Sequence, residues 1–428
     1  MKYLYIVNTL LLGLSIGSFS QVYAKETLNL KSLLIRNQLD ENISQKTILK
    51  TDEVMAQKDL SKANLLPQLS ANFKKEYAKS LVPSQDRTTP QEFSLVFSTA
   101  IFDGKNYFQY KKNKLQTESR YFEEEVEAQK LLKDLAFAFI EYYESKKILE
   151  ITENSIKVLE NYEKATLDRL NIGDSTTLEL EKVRSRLYST QADLITAQID
   201  YRNKKDSFYV LWNIELNSND NLDLLTRTEL DELGNLNLVP LQQDVQSAEK
   251  KYEAANQLVT SAKMANLPNL NLIASYTNAS PDNFQYNNDE TSYKIGLQIN
   301  IPIFSGGETW ANTRIAVSQR EQSLRDLTIL KKNKIQETTR LKNDFKLSLD
   351  SLEMQLKAVA SNSNVFKFLN KDMKGSVRTT FDVLNAMDDL YKSEISYTKA
   401  YSYANKRLVD YLYGYGHLNY DYLKSVLK

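Results

Sequence analysis

The residues of this chain that could carry chemistry are few, and their spacing points first to helix starts. Thr176-x-x-Glu179 and Thr379-x-x-Asp382 each place an acid three residues after a hydroxyl. That is the spacing of a capping box, in which the carboxylate reaches back to the free amides of a helix start. Asp282, Asp289 and Glu290 lack the spacing of a calcium-binding EF-hand and are expected in an external loop. Glu123-Glu124-Glu125 reads as a solvated helix face. The single histidine, His417, excludes a histidine metal cluster within one chain. With no cysteine, disulfides, thiolate metal sites and a cysteine nucleophile are excluded as well. No nucleophile–base pair, phosphate loop or metal constellation is present, so neither an enzyme nor a cofactor is expected. Lys+Arg and Asp+Glu balance at 55 each, so no global field points to nucleic acid.

The elements that hold these residues occur twice. The chain reads Leu65-Leu66-Pro67, then Ile101-Phe102-Asp103-Gly104, then Gly173-Asp174-Ser175-Thr176-Thr177. It later reads Asn266-Leu267-Pro268, then Ile303-Phe304-Ser305-Gly306, then Gly375-Ser376-Val377-Arg378-Thr379-Thr380-Phe381-Asp382. Pro67 and Pro268 lie 201 residues apart, Phe102 and Phe304 lie 202 apart, and Thr176 and Thr379 lie 203 apart. The 428-residue chain is therefore expected to be a tandem duplication of units far larger than a solenoid repeat. Residues 1–24 read as a secretory signal peptide: Lys2, an apolar run and Val22-Tyr23-Ala24 as a small-residue cleavage site. Residues 25–220 form the first repeat, 221–240 a joint, 241–415 the second repeat and 416–428 a C-terminal tail.

Each repeat follows one plan. Helical periodicity over Thr27–Leu66 stops at Pro67, and over Leu241–Asn266 at Pro268, because the residue before proline is pushed out of the helical region. The period then changes to two. Leu69, Ala71, Phe73 and Tyr77 alternate with polar residues, and after Pro83 and Pro90 so do Phe93, Leu95, Phe97, Thr99 and Ile101. In the second repeat Leu270, Leu272, Ala274 and Tyr276 form one such strand. Tyr293, Ile295, Leu297, Ile299, Ile301 and Ile303 form the next. A helix of roughly 100 Å follows each strand pair, over 106–172 and from Gly306-Gly307 to Met373. Shorter helices return over 177–212 and 380–413. Leu135, Tyr142, Leu149 and Ile156 fall seven apart, a coiled-coil seam, and Phe345, Leu352 and Val359 repeat it.

Four amphipathic strands in one exported chain raise a closure problem. Strands facing lipid must form a closed barrel, and four are too few. Eight strands leave an interior filled by side chains, whereas twelve from three chains leave a passage. Strands of about ten residues with apolar-out, polar-in alternation suit an outer membrane. Phe93, Leu95, Phe97, Ile295, Leu297, Ile299 and Ile301 would then face lipid. A periplasmic or cell-surface coiled-coil scaffold without a pore is the alternative, and it leaves the alternating strands without a role.

The Leu-Leu-Pro and Asn-Leu-Pro strand starts, Ile-Phe-Asp-Gly, Ile-Pro-Ile-Phe-Ser-Gly-Gly and Gly-x-x-Arg-Thr-Thr-Phe-Asp-Val-Leu-Asn-Ala resemble the TolC outer-membrane efflux family. The resemblance runs through the mature chain in order and in duplicate. It implies a mostly α protein with a membrane β-barrel: a homotrimer with one 12-stranded barrel, continued by a periplasmic tunnel of antiparallel coiled-coil helices. It further implies a passive exit duct of a tripartite efflux or type I secretion system, partnered by a periplasmic adaptor and an inner-membrane transporter. Short helices would stack end to end along the long ones. At the tunnel tip the family's first acidic position falls on Asp382 and its basic residue on Arg378. Its second acidic position is Asn385 here, and Asp389, one turn on, shares that helix face. Thr176 and Glu179 occupy the equivalent turn of the first repeat.

Overall fold

The computed structural model describes residues 28–31, 41–76, 91–212, 222–236, 238–280, 290–372 and 380–419. The expected signal peptide, Tyr77, Pro83, Pro90, Asp282, Asp289, Arg378 and Thr379 lie outside the described residues, as does the tail beyond 419. The elements are β1 (Leu28–Asn29), α1 (Glu41–Ala63), β2 (Gln68–Lys75), β3 (Gln91–Phe102), α2 (Gly104–Asn171) and α3 (Thr177–Trp212). They continue with β4 (Leu222–Asp223), α4 (Arg227–Gly234), α5 (Gln243–Met264), β5 (Asn269–Ser280), β6 (Glu290–Asn300), α6 (Glu308–Asp372) and α7 (Thr380–Gly414).

Local chemistry explains most boundaries. Asp103 caps α2, its carboxylate accepting the Asn106 amide at 2.9 Å. The helix then runs 68 residues without proline, about 100 Å. It stops where Gly173 adopts φ +77°, a left-handed conformation that a side chain would strain. Helices α1 and α5 end just before Pro67 and Pro268, as expected. Two expectations need correction. The helix drawn from Thr27 is absent at its start, where Leu28–Asn29 pairs in parallel with Leu222–Asp223. Leu30, the residue after this short strand, is helical and fully buried. The stretch between the repeats also holds a helix. Thr226 and Glu229 form a complete capping box on α4, whose Leu230 and Leu233 enter the core.

The four longer strands form one antiparallel sheet in the order β2-β3-β5-β6. Its register aligns the alternating sets. Leu69 pairs with Phe97, Phe97 with Ala274, and Ala274 with Ile295. Ala71, Leu95, Tyr276 and Tyr293 form the next row. Because alternate residues share a face, every apolar set falls on one side of the sheet. Ser70, Ser94, Ser275, Lys294 and Gln298 fall on the other.

Helices α1 and α3 both pack on α2, and α5 and α7 both pack on α6. Gln57 of α1 meets Asn113 near the top of α2, while Lys204 and Arg184 of α3 meet Glu141 and Glu163 further down. Leu135, Tyr142, Ile156, Phe345 and Leu352 are buried, as the seam requires. Leu149 and Val359 are only half-buried. Between Tyr142 and Ile156 the buried positions on α2 are Ser145 and Thr152, each three residues after a seam position.

Where α1, α2 and α5 meet, Arg120 is buried and forks onto Glu127 at 2.9 and 3.0 Å. This guanidinium, helped by Lys50, holds the Glu127 carboxyl down to about 2 against the opposing effect of burial. Stability from this group is therefore complete above the ordinary value of 4.5 and is lost as pH falls from there toward 2. Glu127→Gln should melt below wild type at neutral pH, and the gap should close between pH 4.5 and 2. A gap that stays constant over that range would remove Glu127 from the acid response.

Candidate pore-lining surfaces

The first turn at the far end of the long helices is tightly tied. Arg169 donates to the Asp174 carboxylate at 2.9 Å and to the Asp174 carbonyl at 3.0 Å. The Thr176 hydroxyl accepts the Glu179 amide at 3.2 Å, which is half of the expected capping box. The Glu179 carboxylate takes the Ser175 hydroxyl at 2.6 Å. A hydroxyl one residue upstream reaches it directly.

Of the second turn, Arg378 and Thr379 lie outside the described residues, so the Thr379–Asp382 capping box does too. Beyond it Asp382, Asn385 and Asp389 are all exposed. Offsets of three and four put them on one face of α7. The opposite face is buried: Leu384 and Met387 pack with Ile156, Leu159, Val183 and Leu187. Polar contacts fix this rotation. The Arg186 guanidinium of α3 pairs with Asp388, which Lys392 also meets at 2.8 Å. The hydroxyls of Tyr391 and Thr152 are 3.2 Å apart, and Asn362 donates to the Asp389 carbonyl at 3.2 Å. An open cavity of about 310 Å³ lies between α3 and α7, lined by Lys182, Arg186, Phe381, Asn385 and Asp388.

Arg186, Asp388 and Tyr391 escaped the reading of the sequence. Asp388 and Asp389 are neighbours, and only the packing of α7 decides which one meets α3. Tyr391 had a legible signal, because Leu384, Tyr391, Thr398 and Asn405 are seven apart and all buried. Further along, Glu141 of α2 is held by Lys204 of α3 at 2.8 Å and Lys406 of α7 at 3.0 Å.

At the other end, Phe93, Leu95, Phe97, Ile295, Leu297 and Ile299 do share one face of the sheet. On β6 that face is open: Tyr293, Ile295, Leu297 and Ile299 are all exposed in the single chain. Ile301 and Ile303 do not belong to it, since β6 ends at Asn300. Pro302 has no amide to donate, and β5 begins opposite Asn300.

A family model described as "Outer membrane efflux protein" matches residues 45–213 and 241–408. The outer membrane efflux protein BepC of Brucella suis is 21% identical over 377 residues, 85% of this chain and 79% of that protein. The cation efflux system protein CusC of Escherichia coli O6:H1 is 26% identical over 321 residues, 72% of this chain and 66% of that one. Among solved structures, the CmeC outer membrane channel of Campylobacter jejuni superposes with a TM-score of 0.77 at 16% identity. That match covers 93% of this chain and 88% of the channel.

Proposed function

This chain belongs to the outer membrane efflux protein family, and on that premise we propose that three copies close one 12-stranded barrel above a shared helical tunnel. The protein resides in the outer membrane and serves as the exit channel of an export system. Its work is passive: a continuous water-filled path, with no bond made or broken. The observation that carries the trimer is the sheet. Among the described residues its edges β2 and β6 have no further partner strand, and on β6 Tyr293, Ile295, Leu297 and Ile299 make one face largely apolar. Pairing β6 of one copy with β2 of the next keeps the antiparallel alternation and removes every edge from lipid.

The helices support the same assembly. Tyr188, Ile195, Ile199 and Val210 form an exposed apolar stripe on α3, opposite the face packed on α2. Leu347, Met354, Val365 and Phe368 are exposed on α6, away from its buried seam. Contacts among α3, α6 and α7 hold Arg186, Asp388 and Asn362 at one height, so the two stripes lie level. Each would cover the other between neighbouring copies. The twofold order helix, strand, strand, long helix, helix supports a duplicated gene. An adaptor in the periplasm and a transporter in the inner membrane complete the system.

The tip residues set the gate. Three copies of Asp382 and Asp389 around one axis repel one another and attract multivalent cations. Arg378 then helps hold neighbouring helices closed. In a planar bilayer, a trivalent cation added on the tunnel side should block the wild-type channel. Asp382→Ala should lose most of that block, and Arg378→Ser should conduct more. If the purified protein is a monomer that needs no detergent and carries no current, the channel assembly is wrong. If Asp382→Ala changes only the melting temperature, that residue is a helix cap alone.

A further inference from the structure

The polar side of the sheet carries almost no charge, and its register shows where the charges are. At the end remote from the helices, one row holds Lys74, Glu92, Ala279 and Glu290. Lys74 also pairs with Glu76, so this rim is mixed in sign. From the next row inward, Asn72 on β2 to Asn300 on β6, every described residue on this side is neutral except Lys294. Lys294 is exposed and stands opposite Ser275 of β5. The nearest acids on this side, Glu92 and Glu290, lie two rows away, about 14 Å along the strand.

The space beside this lysine is open. Gly296 is the next residue of β6 on the same side, and a Cβ there would meet nothing within 4 Å. The β5–β6 ladder runs without a break from Ala279–Glu290 to Asn269–Asn300, so no bulge calls for the glycine. A glycine inside an unbroken strand marks a place where a ligand or another backbone can come close.

We propose that three copies of Lys294 form a cationic ring inside the barrel that binds anionic groups (carboxylate, phosphate or sulfonate) of solutes leaving the channel. This rests on the three-chain barrel proposed above, which turns the polar side of the sheet inward. Twelve strands about 4.8 Å apart and tilted about 40° enclose roughly 24 Å between backbones. Extended lysines reach from that wall toward the axis. The Debye length is about 10 Å at 0.1 M salt, so an ion on the axis feels all three ammonium groups. Rings of one charge let a pore discriminate by sign. The hydroxyls of Ser275 and Ser292 flank the ring and can donate to a bound oxyanion. The ring is opposite in sign to the Asp382 tip and lies at the other end of the molecule.

The chain has no cysteine, so Lys294→Cys supplies a single thiol per copy and makes the test direct. The mature protein is placed in a planar bilayer, and tripolyphosphate is added at 0.1 M salt on the side away from the helices. Wild type should be blocked, and Lys294→Arg should match it. Lys294→Cys should need roughly tenfold more tripolyphosphate for the same block. Treating those same channels with a trimethylammonium methanethiosulfonate should restore the block, and the sulfonate reagent should not. At 1 M salt, where the Debye length is about 3 Å, wild-type block should weaken toward that of Lys294→Cys. Equal block in wild type and Lys294→Cys would overturn the ring and leave the barrel standing, with Lys294 only a guard of the β6 edge against wrong pairing. A thiol left unmodified by both reagents in conducting channels would place Lys294 outside the water path and overturn the ring as well. Mature protein that carries no current would overturn the barrel and the ring together.

Discussion

Ile295→Arg is expected to remove most of the assembled channel from the membrane. Ile295 sits at the centre of β6, between Glu290 and Asn300, on the face shared with Ala274, Phe97 and Leu69. It is 79% exposed in the single chain, so no internal packing explains an apolar residue there. An arginine facing lipid at the bilayer midplane costs about 2–4 kcal/mol and much less near the interface. Three copies would cost on the order of 6–12 kcal/mol, comparable with the whole stability of a folded domain. The effect should fall in the order Ile295, Leu297, Ile299 as the site approaches the sheet end. Gln298→Arg, on the polar face, should assemble normally. Detergent-extracted trimer from outer membranes measures this. Equal yields for Ile295→Arg and Gln298→Arg would place lipid elsewhere.

Phe345→Ala should cost about 3–5 kcal/mol per chain, the range for removing a buried aromatic. Phe345 is 3% exposed on α6 and stacks on Tyr411 of α7 at 5.9 Å and 8°. It also abuts α4, where a Cβ on Gly234 would stand 2.5 Å from its ring. Gly234→Ala alone should therefore destabilise by about 1–3 kcal/mol through overpacking. In the Phe345→Ala background that penalty should largely vanish, since the two changes share one contact. Urea midpoints of the four proteins measure the cycle. Strict additivity would mean that α4 does not rest on this ring. Leu347→Ala, two residues on but exposed, should leave the single chain's stability nearly unchanged and weaken only assembly.

Much of this architecture was legible in the sequence because it depends on short-range sterics. Period-two alternation in Phe93–Ile101 and Tyr293–Ile299 marked two strands, Pro67 and Pro268 marked helix ends, and Gly173 marked the turn. The apolar face of the sheet was legible too, since alternation assigns a side without knowledge of any partner. Its extent was not: Ile301 kept the alternation, but Pro302 and the start of β5 ended the ladder before it.

The tertiary structure alone decided the contacts between distant segments. The pairing of Leu28–Asn29 with Leu222–Asp223 joins residues nearly 200 apart, and two residues are too few to show a period. Between Tyr142 and Ile156 the buried positions on α2 are Ser145 and Thr152, small polar residues that no apolar pattern marks. Arg120, Glu127 and Lys50 resemble any other surface charges until α1 is laid against α2. Likewise Asp388, rather than Asp389, meets Arg186 because α7 is turned to bury Leu384 and Met387. Adjacent residues on a helix point about 100° apart. Which of them faces a neighbour is set by the relative rotation of two long rods, and that angle is settled only when the whole core packs.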